Sequence, residues 1–219
     1  EGDAWNSHVN NTKNFILNSY LGKNYQSIAV FGSGWLLDLP IDAIINDFKE
    51  IYLFDVVHPE QIKHKYRKIT HVHFIEIDIT GGIIREVYNK IYKNSNKSIQ
   101  EIVNHNFCYE VDFDFVVSLN ILNQLDILLL EVLLKANSIQ DSDIDFFRKS
   151  IQNQHLTLLK KYNCCLISDW KKISINQLSG INSTSDLVFV ENPDCEIYKE
   201  WEWNFDSEGL YEDDAQVKF

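Results

Sequence analysis

The stretch "SIAVFGSGWLLDLPID", Ser27 to Asp42, joins an apolar run to a Gly-x-Gly turn and then to a segment of helical length. The apolar run predicts a buried β-strand, because it is short and rich in β-branched and aromatic residues. Glycine tolerates positive φ and lets the backbone approach a ligand closely, so Gly32 and Gly34 predict a tight turn at the strand exit. The turn is either a cofactor site or an ordinary corner of an α/β protein.

Seven short apolar runs are predicted to be strands by their composition. They are 27–32, 50–55, 72–78, 113–119, 164–170, 186–190 and 198–205. The first five are almost continuously apolar, which is typical of strands covered on both faces of a parallel sheet. The last run alternates charged and aromatic residues, which is typical of a half-exposed strand. Since no segment of helical length separates the last two runs, they are predicted to pair as an antiparallel hairpin.

Segments of helical length precede and separate the first five strands. They cover residues 5–21, 38–49, 59–68, 81–104 and 122–162, the last being long enough for two helices. This alternation predicts an α/β fold with a doubly wound, mostly parallel seven-stranded sheet that ends in the C-terminal hairpin. We expect residues 1–26 to form an N-terminal helical extension and residues 27–219 to form one domain.

The composition argues against several classes of partner. A formal net charge of -12 disfavours nucleic acid, because non-specific affinity for a phosphate backbone depends on clustered Lys and Arg. The four cysteines have no CxxC spacing, so we expect no metal site and a reducing compartment. No apolar run approaches the roughly 18 residues of a membrane span, and the amino terminus lacks a basic region followed by an apolar one. We therefore expect a cytoplasmic protein with no membrane partner and leave its oligomeric state open.

Acidic residues end the second and third predicted strands. In a doubly wound sheet the ligand crevice lies beyond the carboxyl ends of the strands, where the strand order reverses. Asp55 ends "YLFD", where a carboxylate can accept hydrogen bonds from the ribose hydroxyls of an adenosine group. Asp78 in "IEIDIT" is placed to accept from an adenine amino group, although an acid before "TGG" is more often a turn or cap residue. A strand-end acid on an open rim is expected to have few structural partners.

The fourth predicted strand, "DFVVSLN", runs directly into a cluster of polar residues. These are Ser118, Asn120, Asn123 and Gln124. They follow an apolar run at the edge where a cofactor would present its reacting end, so they are candidate contacts of cofactor and substrate. The alternative is that Asn123 and Gln124 simply begin a helix.

Together these residues resemble the class I, Rossmann-like S-adenosylmethionine-dependent methyltransferases. The resemblance extends over roughly 27–205 and depends on "VFGSGW", "LFD", "EID", "DFVVSLN" and the terminal strand pair. It implies S-adenosylmethionine as cofactor and a set of contacts at the strand exits. This set is Gly32, Ser33, Gly34, Asp38, Asp55, Asp78, Ser118 and Asn120. By the same resemblance, the glycine turn would run alongside the methionine part of the cofactor. Asp55 would bind the ribose, and Asp78 would contact the adenine. Asn120 would lie near the sulfonium as a catalytic residue.

The chain departs from the family pattern in two places. The family's glycine motif usually has an acid two residues before the first glycine and a third glycine two residues after the second, where this chain has Val30 and Leu36. Asp38 would compensate by contacting the cofactor amino group, or would cap the helix that follows. The segment "SLNIL" lacks the Asn/Asp-Pro-Pro-aromatic tetrapeptide of enzymes that methylate the exocyclic amino groups of bases or glutamine, which disfavours that subtype.

Other residues are weaker candidates. His58 and His155 are considered as general bases, since transfer to a hydroxyl or thiol can require one. Asp169 and Trp170 lie at the exit of the fifth predicted strand and are candidates for the wall of a substrate pocket. Trp201 and Trp203 alternate with acids and are predicted to be packing residues.

The sequence therefore predicts methyl transfer to an unidentified, small-molecule nitrogen, oxygen or sulfur acceptor. A Rossmann-type oxidoreductase that uses a nucleotide cofactor shares the glycine turn and the acid, so it remains one alternative. A binding protein that kept the fold and lost turnover is the other, because the third glycine is missing.

Overall fold

The computed structural model describes residues 2–176, 182–206 and 215–219, apart from the side chains of 2–4 and 215. The helices are α1 (Gly2–Tyr20), α2 (Ile41–Asp47), α3 (Glu60–Tyr66), α4 (Ile83–Tyr92), α5 (Ile99–Ile102), α6 (Ile127–Lys135) and α7 (Asp141–Leu159). The strands are β1 (Ser27–Phe31), β2 (Glu50–Asp55), β3 (Val72–Glu76), β4 (Phe115–Leu119), β5 (Asn163–Ile167), β6 (Lys171–Asn176), β7 (Asn182–Asp186), β8 (Asn204–Asp206) and β9 (Ala215–Lys218).

The first five strands form one parallel sheet in the order β3-β2-β1-β4-β5. Strand β1 lies in the middle and pairs with both β2 and β4, so the chain reverses direction across the sheet at β1. All five residues of β4 are buried, as expected for a central strand covered on both faces. The doubly wound half of the predicted fold is confirmed, and its switch point lies between β1 and β4.

Helices cover both faces of this sheet. One core cluster joins alternate residues of the central strands, such as Ile28 and Val30, to α1 and α2. The residues between them, Ala29 and Phe31, face a second cluster that includes Leu156 and Leu159 of α7. A third cluster packs α4, α5, α6 and α7 against one another outside the sheet. The side-chain period of two thus distributes each strand between two helical layers.

A separate antiparallel sheet in the order β7-β6-β9-β8 replaces the predicted sixth and seventh strands of the main sheet. The prediction of one seven-stranded sheet is therefore wrong. The predicted pairing of 186–190 with 198–205 is also wrong, because β7 pairs with β6, and β8 pairs with β9. The sequence indicated antiparallel structure near the C-terminus but assigned the wrong partners.

Residues 187–190 are apolar because they are partly buried, not because they form a strand. The Leu187 N–H donates to the carbonyl of Trp170, and the Phe189 N–H donates to Gln152 Oε1 at 2.7 Å. Val188 lies in the cluster beside α7. A side chain of α7 therefore takes a backbone hydrogen bond that a neighbouring strand would take in a sheet.

The N-terminal helix is part of the core. Ile16 and Tyr20 of α1 are buried against the central strands. At its other end, the Trp5 indole N–H donates to the carbonyl of Phe205 at 3.0 Å, which ties α1 to β8. Helix α1 therefore bridges the parallel sheet and the C-terminal sheet. No helix within the described ranges is both long and apolar enough to cross a bilayer.

Candidate functional site

The exits of β1, β2 and β4 meet at the carboxyl edge of the parallel sheet. Phe31, the last residue of β1, lies opposite Phe54 of β2 and Ser118 of β4. The glycine turn is therefore flanked by Asp55 on one side and Asn120 on the other. This is the crevice in which doubly wound sheets bind ligands.

The turn has positive φ at every second residue. Gly32, Gly34 and Leu36 have φ values of 81°, 43° and 58°. A Cβ on Gly32 would lie 2.6 Å from the carbonyl oxygen of Leu119, so this glycine is required by the close approach of β4. Leu36 stands where the family has its third glycine and keeps a glycine-like backbone, at a cost of roughly 1–2 kcal/mol for a left-handed non-glycine residue.

Asp55 is fixed against the glycine turn by its carboxylate. Its Oδ2 accepts a hydrogen bond from the Gly34 N–H at 2.8 Å, and its Oδ1 accepts from the Val56 N–H at 2.7 Å. The expectation that this acid has few structural partners is wrong. Each carboxylate oxygen accepts about two hydrogen bonds, so both oxygens keep capacity for a ligand's hydroxyl groups.

Asp78 has local partners on both carboxylate oxygens. Its Oδ1 accepts from the N–H and hydroxyl of Thr80, and its Oδ2 accepts from the Ile84 N–H at 3.3 Å. These contacts are those of a residue that shapes the entry into α4. The predicted adenine contact of Asp78 remains a prediction, and the structure shows that Asp78 also shapes the turn before α4.

Two buried pairs lie beneath the edge. Ser33 Oγ is 2.8 Å from His58 Nε2, and Ser118 Oγ is 2.8 Å from His155 Nε2. All four side chains are buried. Burial lowers the pKa of His58, and it lowers the pKa of His155 to about 4. Both histidines are therefore neutral at pH 7 and sit behind the residues that line the edge, where they cannot contact a substrate in this conformation.

Asn120 marks the exit of β4. It has a left-handed backbone with φ of 51°, and its Nδ2 donates to Asp38 Oδ2 at 3.1 Å. Its Oδ1 is buried without a hydrogen-bond partner in the described chain. Gln124 donates to the backbone carbonyl of Asn120, and Asn123 Oδ1 accepts from Ser168, so these two predicted contacts brace the loop.

His8 was not predicted, yet it lies at this edge. Its Nδ1 accepts a hydrogen bond from the Trp201 indole at 3.1 Å, and its ring stacks on Trp203 at 3.9 Å between ring centroids. Its Nε2 is 3.9 Å from Asp38 Oδ2. Trp201 and Trp203 pack against α1, in line with the packing role expected of them. No motif connects His8 to the strand exits, so only its helical position at one end of α1 offered a signal.

Asp169 follows β5 and also faces this cluster. Burial raises its pKa to about 6, and the nearby negative charge of Asp38 acts in the same direction. The Trp203 indole N–H lies close enough to oppose the rise, without completing a hydrogen bond of normal geometry. Trp170 instead packs in the core cluster beside α7.

Exposed apolar side chains surround the glycine turn. They are Trp35, Leu37, Val56 and Val57, each more than half exposed. Such grouped exposure at a crevice is typical of a surface that a ligand covers. Within the described ranges, no group of three or more His, Cys, Asp and Glu side chains is arranged to hold a metal ion.

Neither a protein-family model nor a curated protein sequence matches the chain. Among solved structures, N-methyltransferase NodS from Bradyrhizobium japonicum WM9 aligns with 62% of this chain at 12% identity and a TM-score of 0.37, and the alignment spans 61% of NodS. Its complex with S-adenosyl-l-homocysteine aligns with 95% of this chain and 83% of NodS, at 10% identity and a TM-score of 0.37.

The plantazolicin methyltransferase BpumL, solved with a monoazolic desmethylPZN analog and SAH, aligns with 73% of this chain and 63% of BpumL. Its identity is 16% and its TM-score is 0.30. At these values the likenesses identify no family and carry no argument about activity. What the chain itself shows is a doubly wound order of β1 to β5 with a positive-φ turn after β1, the arrangement in which such sheets bind ligands.

Proposed function

We propose that this chain binds S-adenosylmethionine at the exits of β1, β2 and β4 and transfers its methyl group to a small molecule. When bound, the cofactor supplies a methyl group activated by a sulfonium, so the protein contributes mainly alignment. In this proposal the cofactor-binding domain is 27–219, and the helix within 1–26 covers the side of the site at which the methyl acceptor binds.

The contact between Asp55 and Gly34 is the observation that carries the proposal. It places a carboxylate with free acceptor capacity beside a turn whose backbone has glycine-like φ at three alternate positions. The unpartnered Oδ1 of Asn120 on the other side of the turn fits a ligand that donates hydrogen bonds. The residues present therefore suit the ribose and the cationic methionine end of this cofactor.

The charge at the edge separates this cofactor from a dinucleotide. A pyrophosphate is bound by the free N–H groups of a helix that follows the glycine turn directly. Here α2 begins at Ile41, after an intervening loop, and Asp38 and Asp42 lie before and within its first turn. These acids repel an anion and attract a sulfonium and an ammonium, which disfavours the oxidoreductase alternative.

The remaining site residues fall into two groups, those that line the edge and those buried beneath it. Gly32, Ser33 and Gly34 would pass the methionine part, with His58 positioning Ser33 from below. Asp38 and Asn120 would meet the cofactor's amino group and the neighbourhood of its sulfonium. Ser118 lies one layer beneath, where its effect on the ligand would pass through Asn120 and the β4 backbone.

Calorimetry with S-adenosylhomocysteine tests the proposal. Wild type is expected to bind, and Asp55→Ala is expected to bind at least about tenfold more weakly, because hydrogen bonds to a charged group are worth roughly 1.5–3 kcal/mol each and 1.4 kcal/mol is tenfold. Glu131→Ala, an exposed acid on α6, is the matched control and should bind as wild type does. Absence of binding at millimolar concentration, or binding of a nicotinamide dinucleotide in its place, would refute the proposal.

A further inference from the structure

A polar cluster lies between α1, the exits of β4 and β5, and the C-terminal sheet. We call it the acceptor cluster, and it consists of His8, Asp38, Asn120, Asp169 and Trp203. Three of its polar atoms, His8 Nε2, Asn120 Oδ1 and Trp203 Nε1, are buried without a hydrogen-bond partner in the described part of the chain. An unpaired buried polar atom costs roughly 1–3 kcal/mol, so three in one cluster call for an explanation.

The protonation state of His8 follows from its contact with Trp201. An indole N–H only donates, so His8 Nδ1, which accepts at 3.1 Å, carries no proton. The proton of the neutral ring is therefore on Nε2, the atom that faces Asp38. Burial lowers the pKa of His8 despite the opposing charge of Asp38, which keeps the ring neutral at pH 7. His8 is thus a buried hydrogen-bond donor, only 2% exposed, and does not supply a positive charge.

The acceptor cluster has two carboxylates and no cation of its own. Neither Asp38 nor Asp169 forms an ion pair with a Lys or Arg of the described residues. The nearby Lys199 ammonium lies over the Trp201 ring at 5.7 Å and donates to Asn11. Two negative charges that repel each other in a poorly solvated site favour a ligand that is positively charged and donates hydrogen bonds.

Building on the proposed function, we propose that the methyl acceptor is an amine, which binds to Asp169 as its ammonium ion within the acceptor cluster. Asp38, fixed by Asn120 Nδ2 and faced by His8 Nε2, then serves the cofactor's own amino group. The two carboxylates thereby meet two cations. A carboxylate acceptor would be repelled by both acids, and a neutral hydroxyl would leave their charges uncompensated.

Asp169 also provides a place for the proton that an ammonium must lose before its nitrogen can attack. The proton moves from the ammonium nitrogen to a carboxylate oxygen of Asp169, the lone pair stays on nitrogen, and Asp169 later releases the proton to water. A carboxyl group whose pKa is raised to about 6 accepts this proton more readily than an ordinary aspartate. Among the described residues, Asp38 from the glycine-turn loop is the ionisable group that acts on Asp169, and His8 from α1 faces Asp38 in turn.

The test compares n-propylamine with 1-propanol, which differ in charge but little in size, at pH 7.5 and matched ionic strength. Binding is followed by the indole N–H resonances of Trp201 and Trp203 in ¹⁵N-labelled protein, assigned with Trp201→Phe and Trp203→Phe. Titrations are run with and without S-adenosylhomocysteine. We expect the amine to shift both resonances with a Kd at least about tenfold below that of the alcohol, and Asp169→Asn to abolish this preference.

Asp145→Asn, an exposed acid on α7, is the matched control and should keep the preference. Equal binding of amine and alcohol, no shift with either probe, or an amine preference that survives Asp169→Asn would overturn the inference. Loss of S-adenosylhomocysteine binding is measured separately and bears on the proposed function alone. The titration without it still reports whether the carboxylate selects an amine.

Discussion

The two halves of the sheet edge differ in how their polar groups are satisfied. In the cofactor half, at the exits of β1, β2 and β3, Asp55 and Asp78 accept hydrogen bonds from the protein on both oxygens. Ser33 pairs with His58 Nε2, although His58 Nδ1 is buried without a hydrogen-bond partner in the described chain. In the acceptor half, at the exits of β4 and β5, His8, Asn120 and Trp203 have buried atoms without hydrogen-bond partners in the described chain, and Asp169 is a poorly solvated carboxylate.

We interpret this as a difference between residues that hold the site in shape without a ligand and residues whose polar atoms a ligand would satisfy. A carboxylate held by backbone N–H groups stabilises the fold and orients the turn before any ligand arrives, while an unsatisfied cluster costs stability until a ligand binds. A single unpartnered atom is weaker support, since His58 Nδ1 and His155 Nδ1 are also unpaired beneath the edge. What distinguishes the acceptor cluster is that three such atoms lie beside two carboxylates.

The largest effect is expected from the backbone of the cofactor half. Gly32→Ala places a Cβ 2.6 Å from the Leu119 carbonyl oxygen at a φ of 81°, so both a clash with backbone and left-handed strain oppose folding. We expect a loss of about 3 kcal/mol or more in the free energy of unfolding, measured by urea denaturation.

Gly22→Ala separates the backbone clash from the left-handed strain as causes of the lost stability. Gly22 has a similar φ of 74°, but its Cβ would meet nothing within 4 Å, so only the strain of roughly 1–2 kcal/mol applies. If both variants lose the same free energy, β4 does not constrain the turn, and the account of Gly32 as a contact required by the sheet fails.

The next prediction is that substitutions in the two halves change the free energy of unfolding in opposite directions. Asp55→Asn replaces one of two oxygens that accept backbone N–H groups, so ligand-free protein should lose about 1 kcal/mol. Asp169→Asn removes the charge of a partly buried side chain whose folded pKa, about 6, is above the ordinary value of 3.8. Above pH 6 this variant should therefore gain stability, by about 1–3 kcal/mol, since one pKa unit corresponds to 1.36 kcal/mol.

The pH dependence of the free energy of unfolding tests whether Asp169→Asn stabilises the protein. A raised folded pKa means that the stability contributed by Asp169 is fully present below pH 3.8 and is lost as the pH rises through 6. The gain of Asp169→Asn over wild type should thus grow between pH 4 and 6 and stay constant at higher pH. Urea denaturation at pH 4, 5, 6 and 7 measures it, and destabilisation by both variants at pH 7 would erase the contrast between the halves.

The parallel sheet was predictable from sequence, and the C-terminal sheet was not. Strands β1 to β5 are short apolar runs separated by helical segments, and burial on both faces forces that pattern. The run 186–190 has the same composition for another reason, because it is buried against α7 through Gln152. Strand β6, "KKISIN", does alternate Ile with polar residues, but so short a pattern does not identify its partners.

The cofactor half of the site was predictable for a similar reason. Glycines and acids at strand ends reach the same edge in any doubly wound sheet, so Gly34 and Asp55 meet as the spacing indicates. His8 was missed because its place depends on how α1 docks on Trp201 and Trp203, almost 200 residues away in sequence. Local patterns specify elements, whereas contacts between distant elements require the assembled fold.

The smallest effect concerns Asp78, which the sequence assigned to the adenine and whose contacts lie within its own turn. Asp78→Ala removes the acceptor for Thr80 and for the Ile84 N–H at the start of α4, so ligand-free protein should lose about 1 kcal/mol, as for other local capping contacts. If Asp78 acts only on this turn, Thr80→Val, which removes the hydroxyl partner, should lower stability similarly, and calorimetry should show unchanged S-adenosylhomocysteine affinity for both variants. A loss of affinity specific to Asp78→Ala would instead show that its carboxylate reaches the cofactor. The cofactor half would then combine structural and ligand contacts at its third strand, as we propose that it does at Asp55.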